Sequence, residues 1–427
     1  MPAVFSKKSP PRVFYLYTTF PLVSETFLQR EMRVIQTLIP ELSLNTIWGG
    51  GNSFEGFPVD RFRMWELATL LVWLPYWLIK KPKTLFGFFG RLMQKPPAYP
   101  KNWAECLLGF AYALIRAKKI EKWQPDLIHA VWATMPATAA MILRELIGIH
   151  YSMGAHAYDI FQNGGDAFLD RKLDEAQFIH TSTRFARKHL LSLGAEGQKV
   201  HLIRRGLSSF PPIKAQREEI GRVKLLTIGR LVEKKGYPDQ FRIYRDMRKR
   251  GIPFEAKIIG DGPQGSELEK LISDYHLEGH VKLIGKVPHE EVHSYYEWCD
   301  LFVFTGVVAK DGDRNGLANV IPEAMARAIP VITTPDSGII ENFKDDYEMV
   351  ILPAKPIEPW VETIKNLIAD YDRRKMLGTT ARHWVERQFD AHKNSGKLFK
   401  LMVADCNKRS PKIAEEQPES EEATDAS

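Results

Sequence analysis

Short apolar runs alternate with helix-patterned segments along almost the whole chain, and this alternation limits the fold more than any other feature. RVFYLY (12–17), LSLNTIW (42–48), DLIHAV (126–131), HYSMGA (150–155), QFIHTS (177–182) and KVHLI (199–203) read as strands. The polar, proline-containing stretch SSFPPIKAQREEIGR (208–222) reads as a linker. The alternation then restarts with VKLLTIG (223–229), EAKIIG (255–260), HVKLIG (280–285), DLFVFT (300–305), PVITT (330–334) and EMVILP (348–353). Strands this apolar, separated by helices, predict parallel sheets covered on both faces. Two such series predict an α/β chain of two Rossmann-like domains, 12–207 and 223–388, with a cleft between them. A helix over 389–406 is expected to cross back to the first domain.

Charge narrows the partners. Net charge is +7 over 427 residues. The tail AEEQPESEEATDAS holds six acids and no base, which leaves the body at +13. Such a body favours anionic partners. The stretch 407–427 has too little apolar surface to fold and is expected to be disordered. No run reaches the roughly 18–20 apolar residues of a spanning helix, and the first residues lack a signal-peptide core. Cys106, Cys299 and Cys406 are far apart and form neither a metal-ligand pair nor a disulfide framework. A cytoplasmic setting fits best. No RNA- or DNA-binding module is evident, so no nucleic-acid partner is expected.

Residues 61–101 interrupt the first series with eight bases, one acid and nine aromatics. Pro75 breaks the apolar run and KKPK closes it. Trp and Tyr beside Lys and Arg suit a membrane interface, and Trp73, Trp77, Lys80 and Lys81 are the candidate contacts. The alternative is a pair of ordinary helices packed on the sheet. A peripheral site at the inner face of the cell membrane is the expectation.

Three stretches carry chemistry. In LLTIGRLVEKKG, a strand ends at a glycine, Arg230 follows, and Lys235 and Gly236 lead into a helix. An Arg fork and a Lys point charge at the carboxyl end of a parallel strand suit a diphosphate. In IIGDGPQG, Gly260 and Gly262 permit close backbone approach. In NGLANVIPEAMA, the amides of Gly316, Leu317, Ala318, Asn319 and Val320 gather before a helix, a ready anion site. Glu323 lies one turn inside, where it can accept hydrogen bonds from the vicinal hydroxyls of a ribose. The bland alternatives are solvated cations, ordinary turn glycines and a first-turn acid that complements the helix dipole.

The ordered set GRLVEKKG, IIGDGP, KLIGKVPHEEV, DLFVF and NGLANVIPEAMARAIPVITT resembles family-4 retaining glycosyltransferases of the GT-B fold. With YTTFPLVSETFLQREM, GAHAYDIF and HLIRRGL, it is similar to the bacterial exopolysaccharide branch of the colanic-acid type. The resemblance implies that Arg230 and Lys235 hold a donor diphosphate and Glu323 the nucleotide ribose. It implies that Gly316 through Val320 meet donor sugar and phosphate, that Val287 meets the base, and that His156 approaches the transferred sugar. It further implies a nucleotide-sugar donor, a glycan or lipid-linked acceptor, retention of configuration, and no cofactor or metal.

Three positions depart from the family pattern. Asn315 stands where the first glutamate of E-x7-E is usual. TTFPLVSETF has no glycine pair, and Arg205-Gly206-Leu207-Ser208 replaces asparagine-glycine-x-aspartate. An uncharged amide at 315 suits a donor sugar with an acidic or otherwise hydrogen-bond-accepting substituent; the alternative is a neutral change tolerated by an ordinary hexose donor. Asp311-Gly312-Asp313 invites a metal reading, but a polar loop is expected because GVVAK separates it from the strand. A sugar-nucleotide-binding protein and a sugar-nucleotide epimerase on the same fold are the competing functions.

Overall fold

A computed structural model describes residues 11–22, 25–97, 99–162, 166–288 and 290–409. In the first domain, strands β1 (Val13–Tyr17), β2 (Leu42–Thr46), β3 (Ser53–Phe54), β4 (Phe57–Arg61), β5 (Leu127–Ala130), β6 (Tyr151–Gly154), β7 (Ile179–Thr181) and β8 (Val200–Leu202) form one sheet. Their order is β3-β4-β2-β1-β5-β6-β7-β8, and only the β3–β4 pairing is antiparallel. In the second domain, β9 (Val223–Ile228), β10 (Phe254–Ile259), β11 (Val281–Gly285), β12 (Leu301–Phe304), β13 (Val331–Thr333) and β14 (Val350–Ile351) form a six-stranded parallel sheet. Its order, β11-β10-β9-β12-β13-β14, is that of a Rossmann fold.

Parallel neighbours need crossover connections, and the crossover helices cover both sheet faces. Every residue of β1 is buried. One face of the first sheet carries the helices Pro100–Trp123 and Met135–Ile147. They approach so closely that a Cβ on Gly109 would lie 2.6 Å from the Met135 carbonyl oxygen. The other face carries the helix Thr26–Leu38 and the last helix, Ala391–Arg409. Leu28, Met32 and Ile35 share a core there with Leu398, Phe399 and Met402, so the C-terminal helix packs on the first domain. Residues 407–409, expected to be disordered with the acidic tail, instead end this helix; from residue 410 on the tail lies outside the described residues.

The chain crosses between the domains twice, at neighbouring points. The amide of Leu207 donates to the Phe389 carbonyl at 2.8 Å, and the amide of Ala391 donates to the Leu207 carbonyl at 3.0 Å. A Cβ on Gly206 would sit 2.1 Å from the Ala391 nitrogen, so only glycine fits. The stretch 208–222 is strapped to the second domain. Gln216 donates to the Ala328 carbonyl, and Arg374 donates to the carbonyls of Arg217 and Glu218.

Residues 61–101 form two exposed helices, Leu70–Lys80 and Pro82–Gln94, joined at Lys81. Trp77, Leu85, Phe88 and Leu92 anchor them to the first core. Trp77 therefore does not face outward as expected: it is buried, and its indole donates to the Leu114 carbonyl at 2.8 Å. Trp73 is half-buried against the same core, whereas Lys80 and Lys81 are exposed. The outer surface belongs to Leu71, Ile79 and Met93, which are 85%, 80% and 79% exposed, with Val72 and Phe86 beside them. Among the described residues, no helix is long and apolar enough to cross a membrane.

Gly236 has a φ of 69°, and a Cβ there would lie 1.8 Å from the Thr305 carbonyl oxygen. Gly236→Ala should cost about 2–4 kcal/mol in urea unfolding. Gly251 has nearly the same φ, 68°, with nothing within 4 Å. Gly251→Ala should cost only about 1 kcal/mol, the backbone contribution alone.

Candidate active site

The strand order of each sheet reverses beside its first strand, between β1 and β5 in one and between β9 and β12 in the other. Loops leaving the carboxyl ends at these two reversals face each other across a cleft of about 700 Å³. The first domain contributes Glu25, Phe27, Trp132, Tyr158 and Arg205 to its walls. The second contributes Arg230, Lys234, Lys235 and the run Asn315–Val320. A smaller cavity of about 330 Å³ lies against Glu323 and takes in Arg30, Arg33, Tyr296 and His293.

Arg230 stands exposed where β9 ends. Lys235 is turned inward and its Nζ donates to Asn315 Oδ1 at 2.8 Å. Burial, reinforced by Lys234 and Arg230, pulls the Lys235 ammonium down to about 7. The Asn315 amide is used at both ends, because Nδ2 donates to the Lys234 carbonyl at 2.9 Å. Asn315 thus lines the cleft while fixing the two lysines. Gly316, Leu317, Ala318, Asn319 and Val320 also line the cleft, but the helix they introduce, Val320–Met325, has only six residues. It stops because the chain turns at Ala328, in a left-handed φ of 56°, to enter β13.

Glu323 is buried and both its oxygens are engaged. Arg30 Nη2 donates to Oε1 at 2.7 Å from the opposite domain, and the Tyr296 hydroxyl donates to Oε2 at 3.1 Å. Val287 is half-buried against the core behind this point and borders neither cavity.

Two sets of expected site residues lie off the lining of the cleft. Gly260 and Gly262 do not line the cleft. A Cβ on Gly260 would lie 2.0 Å from the Gly229 carbonyl oxygen, and one on Gly262 would lie 2.6 Å from that of Leu231. Their glycine identity lets the loop after β10 lie on the loop that presents Arg230. His156 is also not on the cleft surface: it lies behind the wall, edge-on to Trp132 with ring centroids 5.6 Å apart. The absence of a side chain on Gly154 makes this room, since a Cβ there would be 2.8 Å from His156 Nε2. Burial, with His180 and Arg205 nearby, holds its imidazole neutral, well below the usual range. Nothing among the described residues hydrogen-bonds to its Nδ1.

Sequence reasoning missed Glu25, Arg205 and Arg30. Glu25 follows β1 and lines the cleft; burial pushes its carboxyl up to about 7, against the pull of Arg205 and Arg230. The Arg205 guanidinium lies 3.4 Å above the Phe27 ring, and burial lowers it to about 10. An acid in an apolar loop just after the first strand was the available signal for Glu25; Arg30 had none. Asp313 pairs with Lys234 at 2.8 Å and Asp311 accepts from Gln162 at 2.8 Å. Among the described residues, no group of three His, Cys, Asp or Glu could hold a metal ion.

Two Rossmann-like domains with opposed carboxyl edges define the GT-B architecture, and solved structures agree. The crystal structure of Anabaena Alr3699/HepE in complex with UDP and glucose is 16% identical, with a TM-score of 0.66, over 92% of this chain and all of that one. Residues 212–384, which take in most of the second domain, match the family described as "Glycosyl transferases group 1". The amylovoran biosynthesis glycosyltransferase AmsK of Erwinia amylovora is 28% identical over 211 residues, 49% of this chain and 52% of that protein. A GDP-mannose-dependent alpha-(1-6)-phosphatidylinositol monomannoside mannosyltransferase of Mycolicibacterium smegmatis is 26% identical over 179 residues, 42% of this chain and 47% of that protein. The chain thus spans about half the length of these curated relatives.

Asn315→Asp would set a carboxylate against Lys235 Nζ and remove the donor to the Lys234 carbonyl. The Lys235 ammonium should rise well above 7, by about one unit or more, as followed by NMR of labelled lysine. Lost hydrogen bonding at the Lys234 carbonyl should lower stability by about 1 kcal/mol.

Proposed function

We propose that the chain is a glycosyltransferase that moves a sugar from a nucleotide-sugar donor to a hydroxyl of a glycan or lipid-linked acceptor. The observation that carries this reading is the meeting of Arg230, Lys235, Asn315–Val320 and Glu323 at one edge of the domain that the group 1 match covers, opposite a second sheet edge. AmsK is named for amylovoran biosynthesis, which supports a polysaccharide or glycolipid product. The relatives' names span UDP and GDP-mannose, so the base is left open.

Breaking the anomeric bond places negative charge on the departing diphosphate and positive charge on the sugar ring. Arg230 and Lys235 would stabilise the first without a metal. The ring would be attacked from the face the diphosphate leaves, with retention of configuration, and the donor's own phosphate would take the acceptor proton. His156, behind Trp132, would shape the sugar side of the cleft as a neutral ring.

A thermal-shift panel of UDP-, GDP- and ADP-sugars tests the donor reading. A donor at a hundred times its dissociation constant should stabilise by about 2.7 kcal/mol. No stabilisation by any nucleotide-sugar would remove the reading. Arg230→Ala should lower turnover by roughly 10²–10³-fold with folding intact. Lys235 adds a proton signature. With its ammonium near 7, it is largely neutral at pH 8 in the empty cleft, and a diphosphate beside it raises that value. Calorimetry at pH 8 in buffers of different ionisation enthalpy should therefore show proton uptake on nucleotide binding. Lys235→Met should abolish the uptake.

The acceptor side extends to the exposed helices. Leu71, Val72, Ile79, Phe86 and Met93 form an apolar face beside Lys80, Lys81 and Lys83, a composition that suits an anionic bilayer surface. The next helix, Pro100–Trp123, carries Lys101 and Glu105 into the cleft wall. A lipid-linked acceptor held at that surface would enter there. The chain should float with anionic vesicles, less so in high salt. Serine at positions 71, 79 and 93 should abolish flotation, whereas Trp77→Phe should chiefly cost stability. Equal flotation of parent and triple variant would remove membrane contact.

A further inference from the structure

We propose that Arg30 is a positioning residue for the nucleotide ribose, supplied by the domain opposite the one that carries Glu323. This inference rests on the donor reading above and adds a residue that neither the family pattern nor the strand pattern marks. Arg30 projects from the helix Thr26–Leu38, and its side chain is 9% exposed. Its partner is 293 residues away in sequence.

The chemistry follows from lone-pair counting. A carboxylate offers about four acceptor positions, two on each oxygen. Arg30 occupies one on Oε1 and Tyr296 one on Oε2. One position per oxygen remains, side by side, which matches two adjacent hydroxyls that each donate once. Two donors on different elements also fix the plane of the carboxylate, so the free positions have a set direction. With Arg30 removed, the Tyr296 hydroxyl alone would leave the carboxylate free to turn about its own bond.

Arg30 carries a second donor suited to the same ligand. Its Nη1 is buried, and among the described residues nothing hydrogen-bonds to it. A buried guanidinium donor without an acceptor is unfavourable. A hydroxyl can satisfy it, because the oxygen that donates to Glu323 still has lone pairs to accept. The cavity of about 330 Å³ that Arg30, Tyr296 and Glu323 share gives such a group room. The ligand class is a vicinal diol, here the 2′,3′-diol of a nucleotide. Its recognition would need both domains in place.

The experiment measures binding of four probes to the full chain by calorimetry: UDP, GDP and their 2′,3′-dideoxy analogues. The parent should bind the ribonucleotide of the preferred base about 30-fold more tightly than its dideoxy analogue. Arg30→Met should reduce that ratio to about 3-fold or less while dideoxy affinity stays within about twofold of the parent. Arg30→Lys, which keeps the charge but not the fork, should give an intermediate ratio. A purely structural role for Arg30 would weaken both analogues alike. An unchanged ratio in Arg30→Met overturns the inference and leaves the donor reading standing; should that variant not fold, an unchanged ratio in Arg30→Lys does the same. A parent that binds nucleotides without favouring the diol removes the ribose role of Glu323, and Arg30's with it. A parent that binds neither UDP nor GDP removes the donor reading and the inference together.

Discussion

A parallel sheet buried on both faces leaves one place for chemistry, the edge where its strands end. Neighbouring strands cannot be joined by tight turns, so each needs a helix across a face, and the faces fill with core. Both sheets follow this constraint apart from the short antiparallel β3–β4 pair at the edge of the first, from the buried run of β1 to the packed helices on either side. Each edge alone would be a shallow rim. The cleft exists because the edges are held facing, and several side chains do the holding. Glu341 of the second domain accepts from the amides of Arg184 and Phe185 at the start of a first-domain helix. Arg204 reaches Asn342, and the Arg314 guanidinium lies near the rings of both Phe161 and Phe185.

Inside the cleft one cation, Lys235, is pre-placed with no carboxylate bonded to it. Lys235 is held by an amide, not an acid, and burial keeps its proton loosely bound. A glutamate at 315 would pair with that ammonium and could not donate to the Lys234 carbonyl. The amide therefore has a physical role in this chain apart from any contact with a sugar substituent. Lys234, by contrast, has its own carboxylate in Asp313 and is electrostatically satisfied.

Apart from β3 and β4, which are short and partly exposed and carry no apolar run, the strands and their two series were legible in the sequence because buried parallel strands are continuous apolar runs that need no tertiary information. The second-domain motifs were legible for a related reason: strand end, loop and helix start are contiguous in sequence. What stayed hidden depends on contacts across the chain. The closeness of Gly260 and Gly262 to the loop after β9 looks identical, in sequence, to a ligand-binding turn. Trp77 and the exposed Leu71 and Ile79 share one helix, and only packing against Leu114 decides which faces inward. His156 sits in a motif-like segment, yet the room left by Gly154 lets it fold behind the wall. Arg30 meets Glu323 only because two domains close on each other.

The paired crossings at Leu207 and Asp390 bear on how such a molecule can move. A single covalent tether behaves as a swivel and permits rotation about any axis. Two antagonistic tethers, cross-bonded at Leu207 and pressed together at Gly206, behave as a leaf spring. Such a pair would resist twist and shear more than bending about one line. Bending about that line would leave Arg30 and Glu323 facing each other in one register.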